Sequence, residues 1–199
     1  MSTSKAERLL ARAAKSKVRL RRHLLVAAAL REVLGSDPIV VGGTAEEFWT
    51  SDEYRETDLD VCAPLTTAER KTLGSLGFER EGRHWYHASS RVAVEFPDST
   101  IDGDPERTVL ESVPGGAARI IGVDDLYLDR LRQATMNEDI EDVHFQSTLA
   151  VAAACFDVID WRYVRSRLAA IEETDRTVGS AMKRINTRVR RRALSVSRQ

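Results

Sequence analysis

Asp58-Leu59-Asp60 places two carboxylates one residue apart in a stretch, Thr57 to Cys62, that otherwise reads as a buried strand. Alternate side chains of a strand share a face at a rise of about 3.3 Å per residue, so both acids look the same way, roughly 6–7 Å apart at the Cα level. Like charges that close repel unless something positive lies between them. A hard divalent cation answers that need, because Mg²⁺ favours a few carboxylates together with waters and substrate phosphates. Fifteen residues before Asp58 stands Gly43, the second glycine of Ile39-Val40-Val41-Gly42-Gly43-Thr44. A backbone without side chains can approach a ligand closely, and a helix opening at Thr44 would offer its free N–H groups to an anion. A metal-binding acid pair beside an anion cradle is the layout that phosphoryl or nucleotidyl transfer requires.

These residues need elements to hold them. Apolar positions from Leu9 to Leu25 recur at helical spacing, and no Gly or Pro interrupts 4–34, which predicts one long N-terminal helix. Ile39 to Val41 predicts a short strand, the glycines a turn, and Thr44 the cap of a helix through Phe48 and Trp49. Thr66 and Glu69 form a capping box for a helix to about Leu76. Phe78 to Arg80, His84 to Ala88 and Arg91 to Phe96 read as strands, with a hairpin turn at Glu81-Gly82. Pro97 to Pro114 reads as loop with a helical turn near Arg107, and Ala117 to Val123 as one more strand. Helices are predicted from Asp124 to Ala134, from Asn137 or Glu138 to about Phe156, from Asp160 to Glu173, and from Thr177 onward. The expected organisation is an N-terminal helix over 1–36, a core over 37–123 and a helical region over 124–199. The fold class is α+β (α/β), a small mixed sheet flanked by helices with a helical C-terminal part.

The order of these features resembles a known family. "VVGGTAEEFW…RETDLDV" is similar to the signature of the nucleotidyltransferase fold shared with DNA polymerase β, and within it to the minimal nucleotidyltransferase-like group that includes toxins of type IV toxin–antitoxin systems. The downstream "IIGVDDLYLDRLRQATMNEDIEDVHF" is similar to the family's strand, acidic cap, "DL-x-x-x-K/R-L" helix and later acids, with Arg130 at the basic position and Asp139 and Asp142 at the acidic ones. The likeness covers roughly Ile39 to Phe145. It implies a third carboxylate on a later strand, for which Glu95 in "RVAVEF" is the best candidate and Asp98 the reserve. It also implies that Asp58, Asp60 and Glu95 are catalytic metal ligands, for Mg²⁺ or Mn²⁺, while Gly42, Gly43 and Thr44 hold the NTP phosphates. The reaction implied moves a nucleoside monophosphate from an NTP to a hydroxyl of tRNA, a protein or a small molecule. The chain departs from the pattern at Gly43, where many active members have serine, and at Glu46-Glu47, where a basic residue is usual. Arg55 and Arg130 are the candidates for the missing positive charge on the nucleotide.

The totals exclude several classes. The chain has 199 residues, 42% hydrophobic and 31% charged, which suits a globular protein rather than a disordered one. No apolar run approaches the ~18–20 residues of a membrane span, and no signal peptide is recognisable, so a cytoplasmic protein is expected. Cys62 and Cys155 are the only cysteines and are expected as buried thiols. Net charge is −1, yet the first 31 residues and the last 17 are strongly basic. That asymmetry suits RNA, or helices packed on an acidic centre. His84 and His87, three apart on a strand, face opposite sides and read as surface or core residues. Two other functions compete with the enzyme. One is a catalytically degenerate module of the same fold that binds a partner protein, as in a toxin–antitoxin pair. The other is a nucleic-acid binder that uses the arginine-rich tail.

Overall fold

A computed structural model describes residues 3–51, 58–137 and 142–196. The chain divides into two compact units, Met1–Phe48 with Asp52–Ile121, and Trp49–Ser51 with Gly122–Gln199.

The first unit is built on a seven-stranded mixed sheet of order β3-β4-β5-β2-β1-β7-β6. The strands are β1 (Ile39–Val40), β2 (Asp58–Cys62), β3 (Phe78–Glu81), β4 (His84–His87), β5 (Val92–Glu95), β6 (Val109–Val113) and β7 (Gly116–Ile120). β1 lies antiparallel to β2 and parallel to β7, β2 and β5 are parallel, and the hairpins β3–β4, β4–β5 and β6–β7 are antiparallel. One side of the β2–β5 pair is apolar, with Leu59, Val61, Val92 and Val94 fully buried. The other side carries the acids. An alternating pattern of this kind fixes register, because a one-residue slip would bury Asp58 and Asp60 and expose Leu59 and Val61.

The N-terminal segment is two helices, α1 (Thr3–Lys15) and α2 (Arg19–Val33), rather than the single helix expected. Val18 adopts an extended conformation, and the Ser16 hydroxyl donates to its carbonyl, so the backbone turns without glycine or proline. The turn lets Ala6, Leu9, Leu10 and Ala13 of α1 bury against α2, while α2 packs in turn on β7. The Lys5 ammonium bonds Glu32 across the pair at 2.7 Å. α3 (Gly42–Thr50) follows β1, and α4 (Thr67–Ser75) follows β2. The capping box of α4 forms as expected: Thr66 Oγ1 accepts from the Glu69 amide, and Glu69 accepts from the Thr66 amide at 2.7 Å. The Thr66 hydroxyl also donates to Glu69 at 2.6 Å and the Gly35 amide at 2.7 Å, and these bonds, the hydroxyl's first, hold its carboxyl below the usual range. β6 was expected as loop; it is an edge strand whose exposed and half-buried residues alternate, with Leu110 largely exposed.

The second unit packs four helices, α5 (Val123–Gln133), α6 (Val143–Ala154), α7 (Trp161–Thr174) and α8 (Arg176–Val196). Asp142, Asp160 and Asp175 cap α6, α7 and α8 by accepting backbone N–H groups. Asp124 was expected to cap α5. Gly122 stands at that position, and Asp124 accepts from the Asp160 amide instead. α6 begins at Val143, later than expected; of the two candidate starts, Asn137 is extended and Glu138 lies outside the described residues, as does Asp139. Tyr127 is fully buried, and its hydroxyl donates to Asn186. Three arginines of the basic tail lie over aromatic rings, Arg188 and Arg192 over Phe145 and Arg190 over Trp161 at 4.6 Å. Both cysteines are buried thiols outside any disulfide, and burial pushes the Cys155 thiol up. Among the described residues no helix is long and apolar enough to cross a membrane.

Candidate active site

The site grows from strand register. Asp58 pairs with Ala93 and Asp60 with Glu95 across the parallel β2–β5 ladder, and Glu95 pairs with His84 across β5–β4. Paired residues on adjacent strands share a face, so Asp60, Glu95 and His84 form one row across three strands, with Asp58 on the same face one step along β2. The sequence placed the three acids; the sheet brings them to one surface.

His84 was read as a surface or core residue, and the structure puts it among the acids. Its Nε2 lies 3.4 Å from Asp58 Oδ2 and 3.3 Å from Glu95 Oε2. Neither contact has hydrogen-bond alignment, and Nε2 itself is buried. Arg83 adds a guanidinium 3.2 Å from Glu95 Oε2. The signal for both was available in principle. A hairpin over Glu81 to Arg83 followed by β4–β5 pairing sets His84 against Glu95, but that register depends on long-range pairing.

The glycine turn abuts the same acids. Gly42 has φ +61, and a Cβ built there would stand 2.1 Å from Asp60 Oδ2. A bare backbone is therefore required for Asp60 to hold its place, by conformation and by contact alike. α3 opens at Gly42, so Thr44 lies inside its first turn rather than at its cap. Thr44 is buried at 3% exposure, its Oγ1 2.9 Å from His23 Nδ1 and within 3.4 Å of the Asp58 carbonyl oxygen. A hydroxyl has one hydrogen. Donated to the Asp58 carbonyl, it leaves Oγ1 to accept from Nδ1–H of His23. Burial, then the charges of Arg22 and Arg19, hold His23 down to about 4, against a smaller opposing pull from Asp58.

Glu46 and Glu47 were the awkward acids of the glycine turn. Both are buried, and Glu47 is answered from α2: Arg19 donates through Nε at 3.2 Å and Nη2 at 3.0 Å to Glu47 Oε2. Arg22, one turn along, has a buried Nε without a hydrogen-bond partner among the described residues. Positive charge near the turn thus comes from α2. Arg55 lies outside the described residues. Arg130 belongs to the second unit, 5% exposed, donating from Nη1 to Gln133 at 2.9 Å.

As a donor set, three carboxylates on one sheet face suit a hard divalent cation. Among the described residues, however, no three His, Cys, Asp or Glu side chains are gathered around one point. His84 and Arg83 stand against the carboxylates instead, so a cation would enter only as those side chains turn aside.

No protein-family model matches the sequence, and no curated protein matches it. Among solved structures, the fold is similar to an antigenic nucleotidyltransferase-like protein from Paracoccidioides brasiliensis, with a TM-score of 0.55 and 14% sequence identity over 84% of this chain and 94% of that one. The chain therefore has a nucleotidyltransferase-like fold: a mixed α/β architecture whose seven-stranded sheet is flanked by helices.

Proposed function

We propose that this protein transfers a nucleoside monophosphate from an NTP to a hydroxyl acceptor. The observation that carries the reading is the shared face of Asp58, Asp60 and Glu95 on adjacent parallel strands, with Gly42 pressed against Asp60. A bound Mg²⁺ or Mn²⁺, held by these three carboxylates, would neutralise the triphosphate and favour ionisation of the attacking hydroxyl. Gly42 and Gly43 leave the backbone open for the β- and γ-phosphates, and the first turn of α3 aims its N–H groups at them. Thr44 serves by position, tying α3 to β2 and α2 through its hydroxyl. Arg22 supplies positive charge. Arg83 and His84 stand against Glu95 and Asp58, and substrate displaces them as it arrives.

The test incubates the protein with each labelled NTP, Mg²⁺ or Mn²⁺, and total RNA or lysate. Label transfer that is lost in Asp58→Asn and in Asp60→Asn supports the reading. Absence of transfer under every condition, with no NTP binding by calorimetry, refutes it. One observation favours a second reading, a binding module of the same fold without catalysis: His84 and Arg83 already stand against Asp58 and Glu95. That reading predicts a partner retained by Asp58→Asn and the same absence of transfer. A place in a toxin–antitoxin pair belongs to this second reading.

A further inference from the structure

We propose that a cavity at the end of β2 and β5 binds a ring-bearing phosphate ester, a single nucleotide unit, either free or as the terminus of a strand. The cavity measures about 350 Å³, within the range of small-ligand sites. Three arginines line it from three different elements: Arg70 on α4, Arg80 on β3 and Arg83 in the β3–β4 turn. Trp85 and Phe96 supply the apolar part. Arg80 and Trp85 are register partners on one face of the β3–β4 hairpin, the face opposite His84, so strand pairing sets a guanidinium beside an indole.

Arg83 pairs with Glu95, but the other two guanidinium groups are not consumed by the fold. Among the described residues the Arg70 side chain has no partner, and Arg80 spends only Nε, on the Gly82 carbonyl at 3.2 Å. Trp85 is 7% exposed, and its indole N–H has no hydrogen-bond partner among the described residues. The acid in the lining, Asp98, turns Oδ1 onto its own loop, where the Ser99 amide donates to it at 2.6 Å. Converging guanidinium groups match phosphate oxygens, and an aromatic floor with a free N–H matches a planar ring with acceptors. A volume of about 350 Å³ holds one such unit, not a folded partner.

Arg83 joins this cavity to the candidate active site, because the side chain that lines it also stands 3.2 Å from Glu95. The cavity thereby becomes the acceptor subsite. That name rests on the proposed function; the binding does not.

The test is equilibrium binding read by tryptophan fluorescence. AMP, a 5′-phosphorylated single-stranded oligonucleotide, adenosine and inorganic phosphate are each titrated into the full chain and into Trp85→Phe, Arg70→Ala/Arg80→Ala and Asp58→Asn. The expected result is a ligand-dependent change carried by Trp85 and absent from Trp85→Phe. AMP should bind about tenfold or more weakly to Arg70→Ala/Arg80→Ala, a loss of about 1.4 kcal/mol or more. It should bind Asp58→Asn as it does the wild type, which separates this site from the carboxylates. Adenosine and inorganic phosphate should both bind more weakly than AMP. Equal affinity of AMP for wild type and the double arginine variant would overturn the proposal. Inorganic phosphate binding as well as AMP would overturn the ring. An oligonucleotide that binds where AMP does not would overturn the single-nucleotide reading. Because both arginines are exposed, circular dichroism of the variant should be unchanged, and a surviving AMP response in Trp85→Phe refutes the location independently.

Discussion

Acid should loosen the joint between α2 and the glycine turn, and His23 sets how much. The imidazole is 1% exposed and is held neutral, at about 4 against an ordinary 6.5. Between those values the unfolded chain binds a proton that the folded one refuses, so stability falls as pH falls through that window. The gap corresponds to about 3 kcal/mol once pH is below 4, at about 1.4 kcal/mol per unit. From pH 7 to pH 5 the integrated loss is roughly 2 kcal/mol, because the unfolded imidazole is almost fully charged at pH 5 and the folded one almost fully neutral. The measurement is urea unfolding at both pH values, for wild type and His23→Asn, whose amide can meet Thr44 but does not titrate. Wild type should lose roughly 2 kcal/mol more than the variant across the interval. His87, also lowered by burial, contributes equally to both proteins and cancels. The readout is the difference in slope, not stability at pH 7. Parallel slopes, within about 0.5 kcal/mol, would mean that His23 is not held neutral by its surroundings, and the joint through Thr44 would lose its basis.

Gly42 and Gly82 share a left-handed φ, +61 and +62, but only Gly42 has Asp60 in the way of a Cβ, whereas Gly82 has nothing within 4 Å. Gly42→Ala and Gly82→Ala should both lose about 1 kcal/mol to backbone strain, and only Gly42→Ala should also lose NTP binding by calorimetry. Arg19→Met leaves Glu47 without its guanidinium and should cost about 2–3 kcal/mol in urea unfolding, most of it recovered in Arg19→Met/Glu47→Met. Thr66→Ala removes half of the α4 capping box and should cost about 1 kcal/mol, with no effect on label transfer. Asp37 is held below the usual carboxylate range: burial opposes ionisation, but hydrogen bonds from Arg31 and Arg119 outweigh it. Its contribution is present above the ordinary carboxylate value and lost as pH falls below it, so Asp37→Asn should flatten the acid limb of the stability curve below about pH 4.

What was legible in the sequence was local. Asp58, Asp60 and Glu95 reveal their faces through a period of two, because a strand's alternation needs no knowledge of its neighbours. Gly42 shows itself by what it lacks, and the Thr66–Glu69 box by a spacing of three. The break after Lys15 was not legible, since nothing at Ser16 to Val18 forbids helix; burying two apolar faces against each other decides it. β6 was missed for the opposite reason. Its alternation is shallow, exposed against half-buried, and its existence depends on pairing with β7.

The charge balance of the site was the least legible part, because it is written entirely in long-range pairs. Glu46-Glu47 looked hostile to a phosphate when only neighbours in sequence were counted. Arg19, 28 residues upstream, answers Glu47 through two nitrogens. Asp58 and Asp60 looked in need of a metal for the same reason, and His84 stands against Asp58 while Arg83 stands against Glu95. An incoming cation or nucleotide has to compete with two side chains of the β3–β4 hairpin: the Arg83 side chain is 74% exposed, while Nε2 of His84 is buried and makes no aligned hydrogen bond. Arg83, released from Glu95, remains on the lining of the arginine-rich cavity, so occupation of that cavity and opening of the carboxylate face draw on the same guanidinium.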